Sequence, residues 1–280
     1  MRPLTRAVDY WSTSLVGLIG ATNVSVAVDT YAAPSSTASF IERVWTLQWT
    51  GGRGEGVVLP LPQPMIVSTP GGSYLGGIQR PRMSLEVAGS GRIMGATLRP
   101  GALSYLFGGP TSDYTDRFVA LGERSRAADS TKLAKELALA KTLNEYIYAL
   151  HRNIGGIERH RTPCMDIADR VMTEFCRGAG TTRVSDLCQQ LFLAPRTLQR
   201  IVHRHFGVTP KWLLNRYRIH AAARRLEGVR TSRHSDLAVS LGYFDESHFA
   251  RDFGDTVGVT PSSYARACWQ APARQSHPAA

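Results

Sequence analysis

The side chains best suited to contact a partner lie between residues 196 and 204, on one face of a predicted helix. Apolar residues with helical spacing predict its buried stripe at Leu198, Ile201, Val202 and Phe206. The outward face then carries Arg196, Thr197, Gln199, Arg200, His203 and Arg204. Arginine can bond to guanine O6 and N7 and glutamine to adenine N6 and N7, so Arg196, Gln199 and Arg200 have the chemistry to contact base edges. His203 and Arg204, one turn further on, are better placed for phosphates.

A solvated basic helix is the ordinary alternative, and a second copy of the surrounding pattern argues against it. The stretches 185–210 and 235–261 both begin with Ser-Asp-Leu, continue through a short apolar helix, a turn and a longer helix, and close on Gly-Val-Thr-Pro. Two helices joined by a short turn are typical of a helix-turn-helix unit, whose second helix enters the major groove of DNA. In the second copy Asp245 is the predicted N-cap. Its outward-facing residues are Glu246, Ser247, Ala250 and Arg251.

A longer helix is predicted between the two copies. Thr209 is placed to cap it and Pro210 suits its first position, while apolar residues up to Leu226 would bury one side. Such a linker would fix the spacing of the two outer helices. If each outer helix enters a major groove on one side of the duplex, the two sites lie about 34 Å apart.

Composition and charge agree with this interpretation. The 280 residues suffice for two domains with their own cores, and the net charge is +11. Residues 1–127 hold 11 Lys and Arg against 8 Asp and Glu, whereas residues 181–280 hold 14 against 7. The positive excess therefore coincides with the repeated pattern, as a phosphate-binding surface requires.

Before the repeat, short apolar or alternating runs separated by Gly and Pro clusters predict a sheet or small barrel between Phe40 and Pro110. The predicted strands are Val44–Trp49, Gly56–Leu61, Met65–Ser68, Met83–Val87 and Ile93–Leu98. A helix follows over Thr131–Leu150, whose apolar stripe either docks on its own domain or joins two copies of the chain. Another helix follows Pro163.

The predicted fold class is α+β, with a β-rich N-terminal domain followed by helices and an all-α C-terminal domain with two helix-turn-helix subdomains. The predicted boundaries are a poorly ordered extension at 1–36, a β-rich sensing or association domain at 37–127, a helical connector at 128–160, a DNA-binding domain at 161–270 and a disordered tail at 271–280. Within the DNA-binding domain the first helix-turn-helix covers 184–207, the linker helix 209–227 and the second helix-turn-helix 235–258.

The sequence gives little support for catalysis, for metal binding or for a membrane-spanning segment. The first histidine is His151, so a histidine-ligated metal is excluded from residues 1–150, and the four cysteines form no C-x-x-C pair. No nucleophile has a matched base nearby, and no Gly-rich phosphate loop follows a strand. Polar residues interrupt the apolar stretch at 15–28, and no stretch is long enough to span a membrane. We therefore expect a cytoplasmic protein that is not an enzyme and that has no cofactor.

The C-terminal motifs resemble those of AraC/XylS-type transcriptional regulators. The resemblance is carried by L-x-R at Leu198–Arg200, F-G-V-T-P at Phe206–Pro210, a spaced R, A and L between Arg218 and Leu226, L-G-Y-x-x-x-S-H-F-A-R-D-F at Leu241–Phe253 and G-V-T-P-S-S-Y-A-R at Gly258–Arg266. It implies two helix-turn-helix subdomains joined by a long helix. It also implies base contacts by Arg196, Gln199 and Arg200 in the first subdomain and by Glu246, Ser247 and Arg251 in the second.

Two positions depart from that family pattern. Ala194 replaces the usual small polar cap before the first recognition helix, a loss of about 1 kcal/mol. Gly254 and Asp255 follow Phe253, where the family often has a basic residue, so the second unit should hold phosphate more weakly.

The N-terminal half is similar to uncharacterised domains that precede this type of DNA-binding domain, through Val44-Trp45, Leu59-Pro60 and L-R-P-G at Leu98–Gly101. An aromatic effector pocket using Trp45, Trp49, Tyr74 or Tyr105 is one interpretation, and a packed aromatic core is the other.

The expected partners are double-stranded promoter DNA, RNA polymerase and a small-molecule effector of unknown identity, with the chain acting as a monomer or homodimer. Two other functions are open. The helix-turn-helix fold could belong to a ligand- or partner-binding module that no longer reads sequence, or the N-terminal domain could be an enzyme fused to a DNA-binding domain.

Overall fold

The structure is a computed structural model that describes residues 15–16, 24–59, 61–158, 163–178, 183–228 and 234–270. Its N-terminal half contains two antiparallel sheets, one of six strands in the order β2-β3-β8-β5-β6-β9 and one of three strands in the order β1-β4-β7. The strands are β1 (Leu15–Val16), β2 (Val24–Ala32), β3 (Ile41–Gly51), β4 (Arg53–Val58), β5 (Met65–Thr69), β6 (Gly72–Gly76), β7 (Met83–Ala88), β8 (Gly91–Leu98) and β9 (Phe118–Ala120).

The helices follow the sheets along the chain. They are α1 (Ala102–Phe107), α2 (Ser130–Leu139), α3 (Leu143–Ile154), α4 (Pro163–Gly178), α5 (Val184–Gln190), α6 (Pro195–Phe206), α7 (Pro210–Gly228), α8 (His234–Ser240), α9 (Glu246–Val257) and α10 (Pro261–Gln270), with a 3-10 helix at Thr111–Tyr114. The predicted α+β class, with a β-rich N-terminal part and a helical C-terminal part, is confirmed.

The two faces of the six-stranded sheet have different neighbours, because successive side chains of a strand point to opposite sides. On one face, Val44, Ile66 and Met94 join the hydrophobic core that α1, α2 and α3 complete. On the other face, Trp45 and Val67 point toward the three-stranded sheet. The apolar stripe predicted over residues 131–150, which includes Leu133, Leu137, Ile147 and Leu150, is buried in that first core.

Two of the sequence predictions differ from the structure. Residues 24–32 form the strand β2, which pairs with β3, so the prediction of a poorly ordered extension over 1–36 is wrong there. Alternating valines at Val24, Val26 and Val28 suit a half-buried edge strand. The helix predicted over Thr131–Leu150 is two helices, because Thr142 caps α3 by accepting from Glu145 N. Residues 1–14, 17–23 and 271–280 lie outside the described residues, with most of the predicted extension and the predicted tail.

Two tryptophans lie directly over glycines of the neighbouring strand. In the register of β3 and β8, Trp45 is paired with Gly95 and Trp49 with Gly91. A Cβ atom at Gly95 would stand 2.2 Å from the Trp45 ring, and one at Gly91 would stand 2.1 Å from the Trp49 ring. The glycines therefore make room for the indoles on this face of the sheet.

The helices of the C-terminal half surround a second core that includes the fully buried Phe175, Phe206, Phe249 and Phe253. The long helix α7 runs through it, and Phe175 of α4 stacks on Tyr217 of α7 with ring centroids 5.4 Å apart. The sequence predicted that apolar residues bury one side of α7. The structure also buries Arg216 and His220. Arg216 donates to the carbonyl oxygen of Arg80, so part of this further burial comes from the N-terminal domain.

The two halves share part of this second core. Leu59, Leu61 and Ile78 of the N-terminal half pack in the same cluster as the C-terminal helices. Gln63, which is fully buried, places its Nε2 atom 3.1 Å from Met172 Sδ of α4. In the part of the chain that the structure describes, no helix is long and apolar enough to cross a membrane.

Candidate nucleic-acid interface

The first candidate recognition helix, α6, has sharply divided faces. Leu198, Ile201, Val202 and Phe206 are buried as predicted. Five of the six predicted contact residues are exposed, and Thr197 is half-buried. The structure brings the long side chains together along one open groove, lined by Arg196, Gln199, Arg200, His203 and Arg204 with Val208 and Thr209.

The ends of α6 follow from local sequence. Ala194 supplies no side-chain hydrogen bond at the N-terminus, as predicted, and Pro195 occupies the first turn. The helix ends at Gly207, whose φ of 78° is in the left-handed region that glycine adopts without strain. A Cβ atom there would also stand 2.4 Å from Thr115 Oγ1, so two constraints favour glycine at this position.

The second candidate recognition helix, α9, has the same length and a similar buried stripe, formed by Phe249, Phe253 and Val257. Asp245 caps it, accepting a hydrogen bond of 2.7 Å from His248 N, which confirms the predicted N-cap. Glu246, Ser247 and Arg251 are exposed and Ala250 is half-buried. These four predicted residues therefore also lie on an outer surface.

Aligning the two helices from cap to cap makes Arg200 and Arg251 equivalent, because both helices have 12 residues. The positions of Gln199, His203 and Arg204 are then taken by Ala250, Gly254 and Asp255. Helix α6 contains three arginines and no carboxylate, whereas α9 contains one arginine and three carboxylates. The first outer face is thus an electropositive surface rich in donors, and the second is not.

One of the α9 carboxylates has a structural role that the sequence did not reveal. Asp252 accepts hydrogen bonds from Asn215 Nδ2 of α7 at 3.0 Å and from Tyr243 OH at 2.6 Å. Burial and the neighbouring Asp252 raise the pKa of Tyr243, so its hydroxyl stays protonated and continues to donate. This network fixes the second unit to the linker helix.

Arg216 of α7 connects the DNA-binding half with the N-terminal domain. Its guanidinium is almost completely buried, lies 4.8 Å from the Trp212 ring and donates to the carbonyl oxygen of Arg80. Burial lowers the pKa of Arg216 to about 10, with Asp252 and Asp116 opposing, so it remains charged near neutral pH. Asp116 in turn accepts a hydrogen bond of 2.7 Å from Arg80 Nε.

The N-terminal domain also contacts the C-terminal ends of both recognition helices. Thr115 Oγ1 donates to the carbonyl oxygen of Gly207, and Arg82 Nη1 donates at 3.4 Å to that of Asp255. Neither contact involves the outward residues of α6. The groove on the outer face of α6 is therefore open, while the C-terminal end of the helix is attached to the N-terminal domain.

The four aromatic residues predicted for an effector pocket do not lie together. Trp45 and Tyr74 line one cavity of the N-terminal domain. Trp49 instead donates from its indole to the carbonyl oxygen of Ala88, and Tyr105 stacks on Phe40 and donates to the carbonyl oxygen of Glu158.

Comparisons with known proteins agree with the two-part architecture. Residues 187–267 match the family model of a helix-turn-helix domain, and residues 29–120 match a domain of unknown function, DUF6597. Over 77 residues, 28% of this chain, the sequence is 36% identical to the HTH-type transcriptional activator RhaS of Pectobacterium atrosepticum. The chain spans about a quarter, 27%, of the length of that relative.

Similar solved structures include those of AraT and ToxT. The C-terminal domain of AraT, a response regulator from Geobacillus stearothermophilus, aligns with a TM-score of 0.35 and 23% identity, covering 39% of this chain and 88% of that one. ToxT from Vibrio cholerae aligns with a TM-score of 0.39 and 12% identity, covering 88% of this chain and 99% of that one.

The C-terminal part of the chain is a helix-turn-helix domain with two such units. Its motifs resemble those of AraC-type DNA-binding domains, and it follows an N-terminal region that matches DUF6597.

Proposed function

We propose that the chain is a sequence-specific DNA-binding transcription regulator that inserts α6 and α9 into successive major grooves of promoter DNA. The observation that carries this proposal is the outer face of α6, where Arg196, Gln199 and Arg200 project from an exposed helix that holds no carboxylate. Arginine and glutamine at such positions have the donor geometry for guanine and adenine edges.

We also propose where the protein acts and which partners it has. It is a cytoplasmic regulator without catalytic activity, it recruits or blocks RNA polymerase at a promoter, and it responds to a small-molecule effector in its N-terminal domain, as a monomer or homodimer. The relatives named as transcriptional activators support the role in transcription. The charge distribution also supports a role in DNA binding, because the excess of basic residues lies in the C-terminal half.

The test uses the full-length chain and duplexes selected from a random pool. The affinity for a selected duplex should exceed that for a scrambled duplex by at least about a thousandfold. It should also fall with salt, with a log-log slope of about 0.9 for each phosphate neutralised. Equal affinity for both duplexes would favour a module that no longer reads sequence, and no salt-dependent binding at all would refute DNA binding.

A further inference from the structure

The N-terminal domain contains an apolar, partly open cavity between its two sheets. The cavity has a volume of about 380 Å³. Trp45, Leu47 and Val67 line it from the six-stranded sheet and Met83 and Leu85 from the three-stranded sheet, and Phe118 of β9 lies at one edge. Ligand sites in proteins begin at roughly 300 Å³, and an apolar cavity of about 150 Å³ already binds benzene. The space is therefore large enough for a small organic molecule.

The lining offers a ligand almost no polar group. Among the described residues that line it, none carries a charge at neutral pH. Tyr74 OH already donates to the carbonyl oxygen of Gly71 at 3.1 Å. Thr69 Oγ1 donates to the carbonyl oxygen of Gly72 and accepts from Gly71 N. A charged ligand would lose its hydration here without compensation, which is costly.

The wall of this cavity is also part of the contact with the helix-turn-helix half. Leu59 and Leu61 line the cavity and pack in the hydrophobic cluster of the C-terminal helices. Two residues further on, Gln63 touches Met172 of α4. A molecule that displaces the two leucines must therefore disturb the packing of α4, because close-packed interiors transmit such strain.

We propose that the cavity binds an uncharged, apolar small molecule, and that Leu59 and Leu61 transmit its occupancy to α4. The binding site stands independently of DNA recognition. The consequence for transcription rests on the proposed function.

Binding is tested on the full-length chain with the uncharged fluorophore N-phenyl-1-naphthylamine. A larger side chain at Leu85 would occupy the cavity, whereas Leu139 on α2 is 76% exposed and serves as a matched position. The parent and Leu139→Trp should bind the fluorophore with equal affinity, and Leu85→Trp at least tenfold more weakly. Equal binding by all three proteins would overturn the proposal.

A variant on the edge strand guards against misfolding of Leu85→Trp. Val28 lines the cavity from β2, at the edge of the six-stranded sheet, so Val28→Phe adds bulk where the backbone can yield. Val28→Phe should weaken binding of the fluorophore by a similar factor, and the circular dichroism spectrum of the protein should be unchanged. Full binding by a folded Val28→Phe protein would contradict the assignment. The anionic sulfonate analogue should show no cavity binding, and a Leu85-sensitive signal from it would contradict an uncharged ligand.

Transmission is tested by amide hydrogen exchange in α4, which does not depend on DNA. Saturation with N-phenyl-1-naphthylamine should change protection in α4 of the parent and of Leu139→Trp, but not of Leu85→Trp. Unchanged exchange in the parent would overturn the transmission step. If the fluorophore alters α4 while no duplex is bound under any condition, the proposed function fails and the ligand site stands.

Discussion

The two helix-turn-helix units have the same scaffold and different outer faces. In both, a 12-residue second helix ends at a left-handed glycine and buries an apolar stripe. On the outside, Gln199, His203 and Arg204 of α6 correspond to Ala250, Gly254 and Asp255 of α9. The comparison teaches that core residues fix the shape of each unit, whereas a few exposed positions decide how strongly it can bind a polyanion.

The turns and caps of the two units also differ. In the first unit the left-handed turn residue is Phe192, with φ of 54° and a side chain that is 91% exposed, whereas the second unit has Gly242 with φ of 78°. The first recognition helix has no side-chain cap, and the second has Asp245. The unit with the better base-contacting surface therefore has the less favourable local backbone.

The largest expected effect tests whether the cores are equivalent. Phe206 and Phe253 are both fully buried, so Phe206→Ala and Phe253→Ala should each lower the free energy of unfolding by about 3–5 kcal/mol. Urea unfolding of the full-length chain measures both. A loss below about 1 kcal/mol in one unit alone would show that its core is not close-packed.

The next effect separates base contact from phosphate contact within α6. Arg200→Ala should cost about 1–3 kcal/mol on a selected duplex and relax the base preference at one position. Arg204→Ala is the matched control, because it should weaken all duplexes alike and reduce the salt slope by about 1. Equal losses by Arg200→Ala on selected and scrambled duplexes would place Arg200 on the backbone instead.

A smaller effect is expected at the equivalent position of the second unit. Arg251 is exposed on a helix with three carboxylates, so Arg251→Ala should cost less than Arg200→Ala in the same titration. Restoring a donor by Ala250→Gln should narrow the difference between the units. If Arg251→Ala proves the more harmful of the two arginine changes, the proposed order of the units is wrong.

The smallest effects test the caps. Asp245→Ala should lower the free energy of unfolding by about 1 kcal/mol, because His248 N loses its acceptor. Ala194→Ser should raise it by up to about 1 kcal/mol by supplying the missing cap. Thermal unfolding without DNA measures both. A stabilised Asp245→Ala protein would mean that the cap is not formed in solution.

The helical half was largely predictable because its signals are local. The period of the apolar residues, Pro195, Pro210 and the glycines at Gly207 and Gly258 fixed the helices and their ends. The outward residues of α6 followed directly from that period. The inward role of Asp252 did not, since it depends on Asn215, 37 residues away along the chain.

The N-terminal half was less predictable because its partners are distant in sequence. The strand β2 was missed, and the sequence could not show that Trp45 and Tyr74 line one cavity while Trp49 and Tyr105 lie outside its lining. The register of β3 with β8 pairs both indoles with glycines on one face of the sheet, and a one-residue shift would move both to the other face. The burial of Arg216 likewise depends on Arg80 in the other half.

The central claim is that α6 contributes more to base recognition than α9. Its most direct test compares the base preferences of DNA selected by the full-length chain with those of DNA selected by the Arg200→Ala variant. The selected sites should contain one strongly specified half and one weakly specified half about one helical turn away. Arg200→Ala should erase preference only in the strong half. Two halves of equal strength, or a strong half that survives Arg200→Ala and is lost in Arg251→Ala, would contradict the assignment of sequence reading to α6.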